Sequence, residues 1–209
     1  MYTTTAKNVY GNTKDRRKIM YSPYNKKFKV TQRFKGDLHD GLDLVGLDSK
    51  EIYSTVNGVV EKAGWENTAD KSQGFGLYVR IKQSGTVDKY YFGHLSELKV
   101  KAGDSVKQGD LIGIEGSTGK STGSHCHYCV RGNGLKSQIR DVSVISGIPN
   151  KLGIYDDRTQ KGKMIYIVKK SWKNKAVKIT PYISQARIIA KKYNYVIYDT
   201  NGKTLYSYR

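Results

Sequence analysis

The chain has 209 residues, 37% of them hydrophobic and 26% charged, with only three prolines, so it is long enough for a sizeable core and too apolar to stay disordered. Its net charge of +19 calls for a polyanionic partner: nucleic acid, an anionic membrane, or a bacterial wall bearing polymeric phosphates. Two cysteines rule out a disulfide framework, and no apolar run approaches the roughly 20 residues of a membrane-crossing helix.

Residues 1–27 read as an N-terminal extension. They contain no apolar core of the kind a secretion signal needs, which predicts a chain made and held in the cytoplasm until something else releases it. From Phe28 the sequence alternates in short bursts punctuated by glycine: FKVTQRF, IYSTVNGVVEKAG, GLYVRIKQSG, DKYYFGHL, DLIGIEG and SHCHYCVRGNG. Period-two runs at this spacing predict a mainly antiparallel β domain over residues 28–150. KLGIYDDRTQKG, residues 151–162, reads as a linker.

Residues 163–209 then read as a small β-α-β-β module. MIYIVKK is a strand; TPYISQARIIAKKY is a helix with Thr180 as N-cap and Pro181 at its first position; YVIYDTNGKTLYSY is a hairpin turning near Asn201-Gly202. Residues 155–209 hold 13 Lys and Arg against three Asp, together with eight tyrosines, so the tail is where a binding role is best supported.

All four histidines fall between residues 39 and 127: His39 with Asp43 in LHDGLDLVG, His94 in YYFGHLSEL, and His125 and His127 in GSHCHYCV. If GSHCHYCV is a strand, His125 and His127 share a face with Cα atoms roughly 6.6 Å apart, and Cys126 points the other way from both. Cys129 shares the histidine face, so a disulfide or two-sulfur clamp between Cys126 and Cys129 is geometrically poor. A zinc knuckle would also need a second ligand pair, sulfur or imidazole, at suitable spacing, and no further cysteine exists.

GIEGSTGKSTG, just upstream, imitates a phosphate-binding loop. The motif requires glycine five places before Gly119-Lys120-Ser121, where Ile114 stands, and the residues that follow are strand-like rather than helical. It is better read as a tight glycine-rich turn that aims the next strand. What remains is metal-site chemistry, with imidazoles and a carboxylate as donors for zinc and further histidines left to move protons.

The H-x-x-x-D of His39 to Asp43, the GHLS of Gly93 to Ser96 and the GSTGKSTGSHCH of Gly116 to His127 resemble the three signatures of the lysostaphin/LytM-type zinc endopeptidases. The likeness runs over about residues 28–132. It implies an antiparallel β fold with a groove, one zinc ion per chain, and cleavage of peptide bonds in bacterial peptidoglycan. Carried over by motif, His39, Asp43 and His127 would bind the metal, while His94 and His125 would act in catalysis without binding it. Two positions depart from the family: Cys126 replaces a leucine between the paired histidines, and Arg33 stands where some members have a tyrosine six residues before the first ligand.

The expected protein is a wall-lysing endopeptidase, of the kind a phage or prophage encodes as an endolysin, with a basic module binding peptidoglycan or anionic wall polymers. A non-enzymatic wall-binding or regulatory protein of the same fold is the alternative, against which the intact five-residue set counts. No reading helix, zinc-finger spacing or RNP-like strand supports specific nucleic-acid binding.

Overall fold

The computed structural model describes residues 22–157, 166–169, 176, 178–180, 192–198 and 204–207. Twelve strands lie in the first stretch: β1 Lys27–Gln32, β2 Gly41–Gly46, β3 Glu51–Tyr53, β4 Gly58–Trp65, β5 Leu77–Gln83, β6 Asp88–Gly93, β7 Leu95–Leu98, β8 Ser105–Val106, β9 Leu111–Glu115, β10 Cys126–Gly132, β11 Ile139–Arg140 and β12 Gly153–Asp156. One short helix, α1 Val142–Ser146, is capped by Asp141, whose side chain accepts from the backbone of Ser143 and Val144, and it ends at Gly147 with φ 75°.

Nine strands form one antiparallel sheet in the order β12-β1-β2-β10-β6-β5-β4-β8, with β11 added on β10. A smaller sheet runs β3-β9-β7. The alternating pattern is the cause: Phe28, Val30, Leu42, Leu44, Phe92, Tyr128 and Val130 turn to one face and are fully buried together with Ile52 and Ile112 of the small sheet. Each such aromatic or aliphatic side chain contributes about 1.5–3 kcal/mol through burial, which makes this layer a rigid base for the opposite face. On that opposite face Phe75, Tyr78, Tyr91 and Cys129 form a second cluster beside the histidines.

The domain reaches further at both ends than the sequence pattern marked. Tyr24, placed in the N-terminal extension, is buried in the main core and stacks on Phe28. Strand β12, placed in the linker, pairs with β1 from Lys27↔Asp156 to Val30↔Gly153. Ser22 then closes the two ends by donating its hydroxyl to Asp157 at 2.7 Å. A four-residue strand beside a glycine carries too short an alternation to stand out from a loop.

Among the described residues of the tail, β13 Tyr166–Lys169, β14 Lys178–Thr180, β15 Val196–Tyr198 and β16 Thr204–Ser207 form an antiparallel sheet in the order β14-β13-β15-β16. The first strand and the final hairpin of the expected module are present, and β14 is an additional strand, closing at Thr180. The expected helix lies outside the described residues except at Lys192 and Tyr193, and so does the Asn201-Gly202 turn.

Candidate metal centre

Strand β10 lies between β2 and β6, and its register sets the site. His127 is directly opposite Asp43 on β2 and opposite Gly93 on β6. Gly93 is followed by His94, so two of the three sequence signatures meet across one pair of strands. His39 precedes β2 in the same chain segment and folds back so that its Nε2 lies 3.1 Å from Asp43 Oδ1. His127 Nδ1 is 2.8 Å from the same oxygen. His39, Asp43 and His127 thus form a group whose donor atoms all lie within 4.8 Å of one another.

Backbone carbonyls fix three of the four imidazoles. Nδ1 of His39 is 2.7 Å from the carbonyl of Arg33, Nδ1 of His94 is 2.7 Å from that of Thr118, and Nδ1 of His125 is 2.8 Å from that of Gly123. A carbonyl only accepts, so each Nδ1 carries a proton. Arg33 thus meets His39 through its main-chain carbonyl. His125 Nε2 is 3.6 Å from Asp43 Oδ1, and the His94 and His125 ring centroids are 4.7 Å apart, so all five residues singled out in the sequence converge.

His127 differs from the other three. Its Nδ1 meets Asp43, and its Nε2 lies 3.1 Å from Oδ1 of Asp40, whose other oxygen accepts from Nε and Nη2 of Arg131 at 2.8 and 2.6 Å. Burial opposes charge on His127, but its hydrogen bonds to Asp40 and Asp43 outweigh that penalty and hold its pKa well above the usual histidine value. Burial likewise opposes charge on Asp43, and its hydrogen bonds with His127 and His39 outweigh it, leaving the carboxyl ionised far below the usual range. Burial of His94 has the opposite outcome: it pushes the imidazole down to about 4, so this ring stays neutral at physiological pH.

The donor set fits zinc. Two imidazole nitrogens and one carboxylate oxygen on nearly buried side chains are the borderline and hard donors of an open, three-ligand zinc site. A second possible grouping, Asp40, His127 and Cys129, fits less well. Both oxygens of Asp40 are already engaged, one by the Arg131 guanidinium. Burial also raises the Cys129 pKa, keeping the thiol protonated. Both cysteines are free and fully buried, Cys126 in the main core and Cys129 in the aromatic cluster, as their opposite strand faces require.

A groove of about 430 Å³ opens beside this corner, with His94 and His127 in its wall and Phe75, Glu66, Lys120 and Lys136 around them. The glycine-rich loop 116–124 forms one side. Its Thr118 hydroxyl donates to the carbonyl of Leu95 and accepts from the Leu77 amide, while its carbonyl holds His94. Gly119 packs against Gly76 so closely that a Cβ would come within 2.2 Å of the Gly76 nitrogen, and its φ is +73°. The sequence reading missed Asp40, Arg131 and Thr118. Arg131 could have been found, because residues 125, 127, 129 and 131 share one face of a strand.

Residues 37–139, about half of the chain, match the model of peptidase family M23. The chain is 39% identical over 115 residues to the peptidoglycan DD-endopeptidase ShyC of Vibrio cholerae, which covers 55% of this chain and 24% of ShyC. It is 34% identical over 93 residues to lysostaphin of Staphylococcus simulans, covering 44% of this chain and 18% of lysostaphin. A solution structure of lysostaphin superposes with a TM-score of 0.50 at 27% identity, over 63% of this chain and 54% of that one. The chain spans about a quarter or less of the length of these two curated relatives.

Proposed function

From the M23-family, lysostaphin/LytM-type domain that residues 37–139 form, we propose that this protein is a zinc-dependent endopeptidase hydrolysing peptide bonds in bacterial peptidoglycan. The observation that carries the reading is the convergence of five side chains at one corner, two of which, His94 and His127, line the adjoining groove. His39, Asp43 and His127 offer three donor atoms within 4.8 Å of one another, and His94 and His125 each turn Nδ1 to a backbone carbonyl, leaving Nε2 beside them. The relative named as a peptidoglycan DD-endopeptidase, ShyC, supports the assignment.

In this reading His39 Nε2, Asp43 Oδ1 and His127 Nδ1 would hold one zinc ion per chain, which when bound would supply Lewis-acid chemistry for a carbonyl and for water. The protein's own groups do the rest. Nε2 of His94 or His125 accepts a proton from the attacking water and returns one to the leaving amine. The carbonyls of Thr118 and Gly123 keep both rings in the tautomer this requires. Phe75 and the loop around Gly119 wall the groove, so an extended peptide laid along it would shed much of its water. The basic segment 163–209 is proposed to hold the enzyme on anionic wall polymers.

The test is digestion of purified walls of defined cross-bridge chemistry, followed by mass spectrometry of the fragments. Peptide fragments with new amino termini, formed by protein carrying about one zinc per chain and lost on chelation, are expected. Intact walls after incubation with zinc-loaded protein would instead leave a binding protein, and salt-sensitive DNA binding without hydrolysis would favour a nucleic-acid partner.

A further inference from the structure

The strongest unassigned feature is the arrangement behind His127, on the side away from Asp43. A ligand that uses Nδ1 must carry its proton on Nε2, and that nitrogen lies in a nearly closed space beside Cys129, where an unpaired N–H would be costly. Asp40 Oδ1 accepts it at 3.1 Å. The approach depends on Gly41, next along the chain, because a Cβ there would come within 2.8 Å of His127 Nε2 and 2.6 Å of the Tyr128 carbonyl.

Asp40 would itself be a competing ligand if its second oxygen were free. Arg131 prevents this, since its Nε and Nη2 both donate to Oδ2. Arg131 is in turn held by the aromatic cluster: its guanidinium carbon lies 5.1 Å from the ring centres of both Phe75 and Tyr91. His127 and Arg131 stand on the same face of β10, two pleat repeats apart, so one strand carries both the ligand and the residue that anchors its partner.

We infer that Asp40 and Arg131 are positioning residues for the metal centre: Asp40 fixes the His127 tautomer and ring orientation by accepting its Nε2 proton, and Arg131 holds Asp40 in that role and out of the ion's reach. This rests on the proposal that His127 is a zinc ligand through Nδ1. The chemistry is that of a carboxylate–histidine–metal relay, in which the outer acceptor makes the imidazole a better donor and limits its rotation.

Zinc affinity, measured by competition with a chromophoric chelator on the full chain, reads the effect independently of hydrolysis. Asp40→Ala should weaken zinc binding about 10- to 100-fold. Asp40→Asn, whose amide oxygen still accepts from Nε2, should recover most of that loss. Arg131→Leu should fall between wild type and Asp40→Ala. In ¹⁵N spectra of the zinc-loaded protein, the His127 Nε2–H signal should exchange slowly in wild type and Asp40→Asn and quickly in Asp40→Ala. Wild-type zinc affinity in Asp40→Ala, or equal losses in Asp40→Ala and Asp40→Asn while circular dichroism shows both folded, would overturn the inference. Wild-type protein that binds no zinc would instead overturn the metal-site proposal on which it rests.

Discussion

Two halves of the same groove are built differently. In the metal corner, Asp43 and His127 are set by the register of β2 against β10, and their partners are side chains, so a geometry of short distances is locked into the sheet itself. Across from it, His94 and His125 sit at the edges of strands and take their orientation from the carbonyls of the 116–124 loop; His94 even adopts φ 63°, a left-handed backbone that is uncommon outside glycine. The electrostatics diverge as well. The His94 and His127 rings are 6.0 Å apart, yet His94 is pushed down to about 4 by burial while His127 is held up by two carboxylates. A corner that gathers positive charge suits a cation, and a neighbouring ring kept neutral suits a base.

Removing a strand-borne ligand breaks the first half and gives the largest effect expected. His127→Ala or Asp43→Ala should release zinc or bind it far more weakly, and wall lysis should disappear with it. Metal analysis on the purified variants alongside turbidity of wall suspensions checks both. A variant of either residue that keeps one zinc and full activity would place the ion elsewhere.

Removing a loop-held histidine should leave the corner intact and cost only catalysis. His125→Ala and His94→Ala are each expected to fold, to carry near-stoichiometric zinc, and to lose 10²- to 10⁴-fold in rate, about 3 to 5 kcal/mol of transition-state stabilisation. If His125→Ala arrives without metal while His127→Ala retains it, the two halves have been assigned the wrong way round.

The contrast also explains what could be read from the sequence. The five convergent residues were legible because histidine is scarce here and the three motifs are spaced as in the zinc peptidases. The β-sheet was legible from its period. Asp40 was not, although it stands between two candidate ligands: its role depends on Arg131, 91 residues away, and on the absence of a Cβ at Gly41. Thr118 looked like part of a turn, and its carbonyl becomes functional only because the loop crosses to His94. Glu115 was equally hidden. This buried carboxylate takes hydrogen bonds from Gly46, Lys50 and Ser124 and also meets Tyr24, joining its own loop to two segments distant in sequence. Local pattern reports a residue's face, whereas partners of this kind are set by strand order.

A smaller effect is expected at the two cysteines, which lie on opposite faces of β10, Cys126 in the main core and Cys129 in the aromatic cluster beside His127. Replacing Cys126 and Cys129 together by alanine should leave zinc at one per chain and retain hydrolysis, with about 1 to 2 kcal/mol of stability lost at each fully buried site. Chemical denaturation with metal analysis measures the two separately. Loss of zinc from the folded double variant would bring Cys129 into the metal site after all.

The smallest effect on the groove should come from removing the basic tail, and the structure alters where to cut. Residues 22–157 carry 19 Lys and Arg against 16 Asp and Glu, whereas residues 158–209 carry 13 against one, so most of the excess positive charge lies outside the domain that holds the site. A truncation at residue 155, where the linker pattern would put it, would remove half of β12 and the Asp157 carboxylate that accepts from Ser22, damaging the sheet beside β1 and β2. Ending the chain after Asp157 avoids this. That variant should bind zinc and hydrolyse soluble muropeptides as the full chain does, because no residue of the metal corner or of the histidine pair is touched. Its binding to whole walls should weaken, most at low salt, and the difference from the full chain should shrink toward 1 M salt, where the screening length falls to about 3 Å. Cosedimentation with walls across a salt series, run beside the soluble assay, separates these outcomes. Equal losses on soluble and insoluble substrates would make the tail a structural part of the catalytic unit rather than an electrostatic anchor.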